Sequence, residues 1–164
     1  PRWEWGMGWV FGGSGSAVLL LPDDLEGLDA ELQMAAGSFH ADGEFGAVGL
    51  SVGAGEVDLA GAAEDLTIDL SAGRATLDLA DVDTADLTVS AGSMDAALTG
   101  SQPSDIRAEV SAGSLNLVVP EGSYDVTSDV SAGNLRNSLG SDPGADSTIS
   151  VNLSAGQVSL RSAR

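Results

Sequence analysis

Apolar and polar side chains alternate along seven segments of the chain, and an Ala-Gly pair interrupts each segment. Three, five and seven residues before each glycine the side chain is apolar, with Ser128 as the one exception. This period of two is typical of a β-strand with one buried face. Two and four residues after the glycine the side chain is again apolar, except for Asn137, so the alternation resumes with its phase shifted by one residue. The pattern therefore predicts two strands that meet at a corner and face the same interior.

The Ala-Gly pairs recur every 18 to 23 residues, which makes the chain an array of short repeats. The predicted structural corner residues are Ala36, Gly37, Ala54, Gly55, Ala72, Gly73, Ala91, Gly92, Ala112, Gly113, Ala132, Gly133, Ala155 and Gly156. A repeat of this length cannot bury an apolar face alone, so neighbouring repeats must stack. The sequence predicts an all-β fold, a single-domain parallel β-solenoid (β-helix) of about seven coils with an Ala-Gly corner in each. A β-sandwich of short strands competes with it, but a sandwich does not require the same corner residue in every repeat.

Each corner position has an expected role. Glycine accepts the positive φ of a tight bend, and alanine is expected just inside the bend, where a larger side chain such as leucine at Ala112 would overpack. The small residue before the alanine, serine in the last five repeats, is expected to face outward. The longer spacings of the later repeats predict loops along one edge, and Ser128 and Asn137 predict a coil that is polar inside or bulged outward.

The N-terminal segment has a different composition from the repeats. We expect a Trp-rich segment with a Gly/Ser joint over residues 1–17 and the β-solenoid over residues 18–164. Trp3, Trp5, Trp9 and Phe11 share one parity, so on an extended strand they would lie on one face. They are candidate self-assembly or cap residues: the segment could cover an end of the core, lie at a membrane interface or be donated to a neighbouring molecule. Because the chain starts at Pro1 without a methionine, we expect a fragment or a processed product.

The charge excludes two classes of partner. The chain has 25 acidic and 6 basic residues, a net charge of −19 and no cysteine. Nucleic-acid binding and electrostatic docking to anionic lipids both need clustered Lys and Arg, so neither is expected. Membrane attachment is expected only through a segment absent from this chain.

No catalytic constellation stands out, so we expect no enzyme, no cofactor and no metal. His40 is the only histidine and has outward parity, which favours a surface role. The outward acidic residues Asp69, Glu109 and Asp129 are interrupted by Thr88, which favours a solvated acidic face over a calcium site.

Three strings of the repeat resemble a known family: VSAGSL (110–115), LSVGAGEVDL (50–59) and NLSAGQVSL (152–160). They are similar to the bacterial "putative adhesin" β-strand-repeat domains, a family of unknown function, and to the C-terminal domains of cell-envelope stress-response proteins. The resemblance covers roughly residues 25–161 and brings no catalytic residues with it. It implies a non-enzymatic extracytoplasmic module, adhesin-like or envelope-sensing, located at the cell surface or envelope and bound to a partner there.

The alternative function is a self-assembling structural protein. The apolar pattern runs to Leu160 and the chain ends soon after, so the C-terminal end of the solenoid is expected to be open, with Arg161 and Arg164 beside it. The first coil region is acidic, so the two ends would attract each other. Head-to-tail contact of this kind, with the Trp-rich segment covering a neighbour's edge, would propagate into filaments.

Overall fold

All strands of the described chain belong to one parallel sheet that winds into a stacked-coil β-solenoid. The computed structural model describes residues 16–18 and 28–163. Its strands are β1 (Ser16–Val18), β2 (Leu28–Ala80), β3 (Thr84–Thr99), β4 (Asp105–Val119), β5 (Tyr124–Asn137) and β6 (Ser147–Ser162). The all-β prediction and the parallel solenoid are therefore confirmed, although the rod has about five turns and not the predicted seven.

The predicted corners stack in register. β2 is continuous through three of them, at Gly37, Gly55 and Gly73. In the later coils Gly73 pairs with Gly92, and Gly92 pairs with Gly113. Because the corners align, every inward position of one coil lies over the same position of the next coil.

The inward rows form the core. Leu66, Ile68 and Leu70 before the corner of one coil, and Leu77 and Leu79 after it, are each at most 1% exposed. Each coil has two limbs, the strand segment before the corner and the segment after it. The shift of phase at Ala-Gly is the reason that both limbs face this core. Stacking buries a continuous apolar interior that a single repeat could not bury.

Close approach of the backbones, together with positive φ, explains glycine at the corner. Gly73 has a φ of 125°, a region that L-residues with a Cβ atom rarely adopt. A Cβ atom on Gly73 would also overlap the carbonyl oxygen of Gly55 on the neighbouring coil. Gly55 has the same relation to Gly37, and a Cβ on Gly133 would lie 2.6 Å from the carbonyl oxygen of Gly156. Glycine is thus required by the stacking of the coils as well as by the bend within each coil.

The expected position of the corner alanines is wrong. Ala54, Ala91 and Ala112 are exposed, as is the serine before Ala112. Three successive residues, Ser-Ala-Gly, lie on the outer side of the bend, and side chains there diverge into solvent. Leucine at Ala112 would therefore not overpack the interior. The outward position predicted for Ser111 is correct.

Each coil forms one level of the rod. The order of these levels along the rod departs from the order of the strands in the chain. The sheet order is β1-β2-β3-β4-β6-β5, so β6 lies between β4 and β5. Gly156 accordingly pairs with Gly113 on one side and with Gly133 on the other. The expectation that Leu160 lies at an open end is wrong, because β5 covers β6 and forms the last level.

The inward residues of β5 and β6 explain why β6 lies inside the rod and β5 lies at its end. After Ser147, which is 7% exposed at the start of the strand, the inward residues of β6 are all apolar and at most 2% exposed: Ile149, Val151, Leu153, Val158 and Leu160. In β5 the inward positions include Ser128 and Asn137, which are both exposed. Placing β5 last removes these polar groups from the interior, where unpaired groups would be costly. The two exceptions in the apolar pattern therefore mark the end of the rod.

The corner contact predicts a large difference between two Gly→Ala substitutions in β2. Gly73→Ala should lower the free energy of unfolding by about 3 kcal/mol or more, from strain at positive φ and overlap with the adjacent backbone. Gly49→Ala is the control, because a Cβ there would meet only Glu31 Cγ at 3.7 Å and the Ala30 carbonyl oxygen at 3.9 Å, both ordinary contacts, and the change should stay within about 0.5 kcal/mol. Urea unfolding followed by circular dichroism measures both. Equal stability of the two variants would contradict the corner contact.

Candidate functional site

The loops of the later coils lie along one edge, as predicted, and continue the backbone ladder. The Asp83 amide donates to the Glu64 carbonyl at 2.8 Å, the Ser104 amide to the Asp83 carbonyl at 2.8 Å, and the Thr148 amide to the Ser104 carbonyl at 2.9 Å. On the same edge Asp81 accepts hydrogen bonds from the hydroxyl and amide of Ser101, which lower the pKa of its carboxyl group. The inserted residues are thus ordered by bonds between levels.

Outward side chains stack into rows along the rod, and one row lies four residues before the corner glycines. In order along the rod this row reads Asp69, Thr88, Glu109, Asn152 and Asp129. A neutral side chain thus separates each pair of carboxylates. Alternate levels are roughly 10 Å apart, which is close to the Debye length of about 10 Å at 0.1 M salt. The expected acidic face is present, and its charges are spaced along the axis.

A second row, eight residues before the glycines, repeats the arrangement with direct hydrogen bonds. In order along the rod it reads Asp65, Thr84, Asp105, Thr148 and Asp125. Thr84 Oγ1 donates to Asp65 Oδ1 at 2.5 Å, and Thr148 Oγ1 donates to Asp105 Oδ1 at 2.6 Å. The threonines therefore separate the carboxylates and also bind them.

These two rows give a second reason for the position of β6. Without β6 between β4 and β5, Asp125 would lie beside Asp105 and Asp129 beside Glu109, because all these strands share one register. Like charges directly opposite each other on neighbouring strands are destabilising. Thr148 and Asn152 of β6 prevent both contacts.

A polar patch lies on the outer face of the other limb, after the corner, and spans β3, β4 and β6. It lines a shallow open depression and consists of Asp95, Ser114, Asn116, Gln157, Ser159 and Arg161. Arg161 Nη2 donates to Asn116 Oδ1 at 2.6 Å, and Asn116 Nδ2 donates to Asp95 Oδ1 at 3.2 Å. A carboxylate, an amide and a guanidinium on three successive levels are thereby held in a fixed arrangement.

The residue pattern did not predict this patch. Arg161 and Asn116 are 45 residues apart in the chain and meet only because β6 lies beside β4. The expectation that Arg161 lies at an open end is therefore wrong. Arg164 lies outside the described residues.

The last level, β5, is partly covered by the loop that follows it. Ser141 Oγ accepts a hydrogen bond of 3.0 Å from the Val126 amide, and the Asp142 amide donates to the Tyr124 carbonyl at 2.8 Å. Tyr124 is buried, its hydroxyl donates to the Pro120 carbonyl at 2.9 Å, and burial raises its pKa to about 12. The expectation of an uncapped end is thus wrong for the start of β5. Farther along the strand, Val130 is 39% exposed.

The opposite end of the rod carries the strand β1. Its residues pair with β2 from Ser38 to His40, and His40 is exposed, as its parity predicted. An apolar cavity beside this level is lined by residues that include Leu32, Phe39 and Phe45. The candidate cap or self-assembly residues Trp3, Trp5, Trp9 and Phe11 lie outside the described residues, so their role stays a prediction, as does the division of the chain at residue 17.

Residues 16–18 and 28–163 show neither a cluster of metal ligands nor a membrane-spanning helix. In this part of the chain no three His, Cys, Asp or Glu side chains are grouped so that they could hold a metal ion. The same residues include no helix with the length and apolarity needed to cross a membrane.

Comparison of the chain with protein-family models, with characterised proteins and with solved structures gives no match. The fold defines the chain as a parallel β-solenoid. The resemblance to the adhesin-type repeat domains stays an expectation from the sequence.

The alternation of charge predicts a salt-dependent effect of Asn152→Asp. This nearly isosteric change would place three carboxylates on successive levels, beside Glu109 and Asp129, and should cost about 1 kcal/mol at low ionic strength. Added NaCl should reverse most of the loss by screening. Asn134→Asp is the control, because Asn134 is paired with the neutral Gln157. Melting temperatures across a NaCl series measure both, and equal responses of the two variants would contradict the role assigned to the rows.

Proposed function

We propose that this chain is a non-enzymatic binding module of the adhesin-like or envelope-sensing kind, which acts outside the cytoplasm and contacts its ligand through the polar patch. The observation that carries the proposal is the hydrogen-bonded series Asp95, Asn116 and Arg161 on the outer face of the rod. The extracytoplasmic setting rests on the lack of cysteine and on the resemblance of the repeats to adhesin-type domains.

The patch suits a ligand with polar groups along an extended surface. Its amide and hydroxyl groups both donate and accept hydrogen bonds, and its guanidinium offers a planar set of donors. These groups stand on strands that pair in register, so little conformational freedom is lost on binding. A cell-wall glycan, with hydroxyl and carboxylate groups repeated along a chain, is the class of ligand that we favour.

Binding to insoluble cell-wall material tests the proposal. The full chain should sediment with purified bacterial cell walls, and the double variant Asn116→Ala/Arg161→Ala should lose at least about tenfold in affinity, as expected when two polar contacts are removed. The matched control is Asn152→Ala/Arg107→Ala, which removes the same two residue types from the outer face of the other limb. Equal binding of the two variants, or no binding of the unchanged chain, would contradict the proposal.

Self-assembly is the second candidate function, and the exposure of β5 beyond Val126 favours it. In the head-to-tail form, residues 1–11 of one copy would cover β5 of the next copy. The charges of the described residues do not support that form, because Asp29 and Glu31 at one end would approach Asp125 and Asp129 at the other. Electron microscopy of the full chain distinguishes filaments from separate rods.

A further inference from the structure

We propose that two copies of the chain join end to end through β5, about a two-fold axis that passes between Ala132 and Gly133. The contact surface is the outer edge and end face of residues 127–137, which we call the β5 end. It is distinct from the polar patch and does not depend on the proposed ligand.

The β5 end leaves a strand edge and the end of the core open. Within the described residues, the loop after β5 bonds to Tyr124 and Val126 before this stretch and to the side chain of Asn137 at its end. Leu139 of the loop packs against the core, the backbone edge between Val126 and Asn137 is left uncovered, and β6 pairs with the other edge of β5. Val130 is the one large apolar side chain of the described residues that is exposed, at 39%. A strand edge with unpaired backbone groups is a template for pairing with another strand.

The inward positions of β5 are symmetric about the corner. They lie three and five residues before Gly133, at Val130 and Ser128, and two and four residues after it, at Leu135 and Asn137. The centre of this pattern is the bond between Ala132 and Gly133. With a two-fold axis at this point, the limb before the corner of one copy runs antiparallel to the limb after the corner of the other copy. The apolar cores of the two rods stay aligned.

This register places chemically matched side chains opposite each other. Val130 faces Leu135 of the second copy, so both apolar groups leave water. Ser128 faces Asn137, whose amide already bonds to Leu139 and Gly140 of its own loop; its second N–H is the group that can donate to the Ser128 hydroxyl. On the outer face, Asp129 meets Arg136 of the second copy, so the symmetric contact contains two opposite-charge pairs.

The other end of the rod is a less suitable partner for β5 of a second copy. There β1 already pairs with Ser38–His40, so the part of the edge directly after the corner is occupied. A two-fold contact is also closed, because each β5 end is used once, and it gives a dimer that does not grow further.

Sedimentation equilibrium of the full chain over about 1 μM to about 1 mM tests the proposal. We expect the mass to rise with concentration from 16.4 kDa to twice that value and no higher. Asp129→Arg and Arg136→Asp should each weaken dimerisation by about tenfold or more, since each creates two like-charge contacts across the axis. The double variant should restore the dimer.

Asp69→Arg is the matched control, because it makes the same change of charge in the same outward row, far from β5, and should leave the dimer intact. Val130→Glu should give a monomer with an unchanged far-ultraviolet circular dichroism spectrum. A monomer at every concentration, growth beyond a dimer, or a double variant no better than the single ones would overturn the proposal.

Discussion

The contact on which the rest of this structure depends is that between the backbones of successive corner glycines. At each corner the carbonyl oxygen of one coil occupies the space that a Cβ atom on the next coil would need. This approach fixes the register of neighbouring coils. Register in turn puts every inward side chain over its equivalent, so the apolar rows on both limbs close into one core. A side chain at any corner would separate two levels locally and weaken the core beneath them.

The order of the levels follows from a second constraint: polar residues on the interior face and carboxylates on the outer face of a coil limit which coils can lie next to it. β6 has an interior face that is apolar from Ile149 onward and neutral residues in the two acidic rows, so it fits between two other coils. β5 has Ser128 and Asn137 on its interior face and carries Asp125 and Asp129 on its outer face. Both features favour a position for β5 at the end of the rod. A chain with a net charge of −19 can therefore stack closely without adjacent carboxylates in these rows.

Much of the fold could be predicted from the sequence, because parity and the repeated glycine identify inward positions and corners within each coil. Leu66, Ile68 and Leu70 are buried as the pattern indicates. The pattern says which positions are equivalent, but it does not say which coils are neighbours, and chain order was the wrong guide for β5 and β6. The outward position of Ala112 was also missed, because alternation cannot describe the bend itself.

The candidate site was less predictable for the same reason. The polar patch joins Asn116 of β4 to Arg161 of β6, and only the order of the levels brings these strands together. Ser128 and Asn137 were the available signal, since two polar residues at inward positions mark a coil that prefers an end. That signal concerns how unlike coils stack on one another, which the pattern within a single repeat does not describe.

Cysteine cross-linking is the most direct test of the level order, because the chain has no native cysteine. Glu109 pairs in register with Asn152, and Asn152 pairs with Asp129. Residues on adjacent levels are about 4.8 Å apart, within the range that a disulfide spans, whereas those two levels apart are beyond it. Glu109→Cys/Asn152→Cys should therefore oxidise to an intramolecular disulfide, and Glu109→Cys/Asp129→Cys should not. A disulfide in the second variant and none in the first would contradict the structure described above.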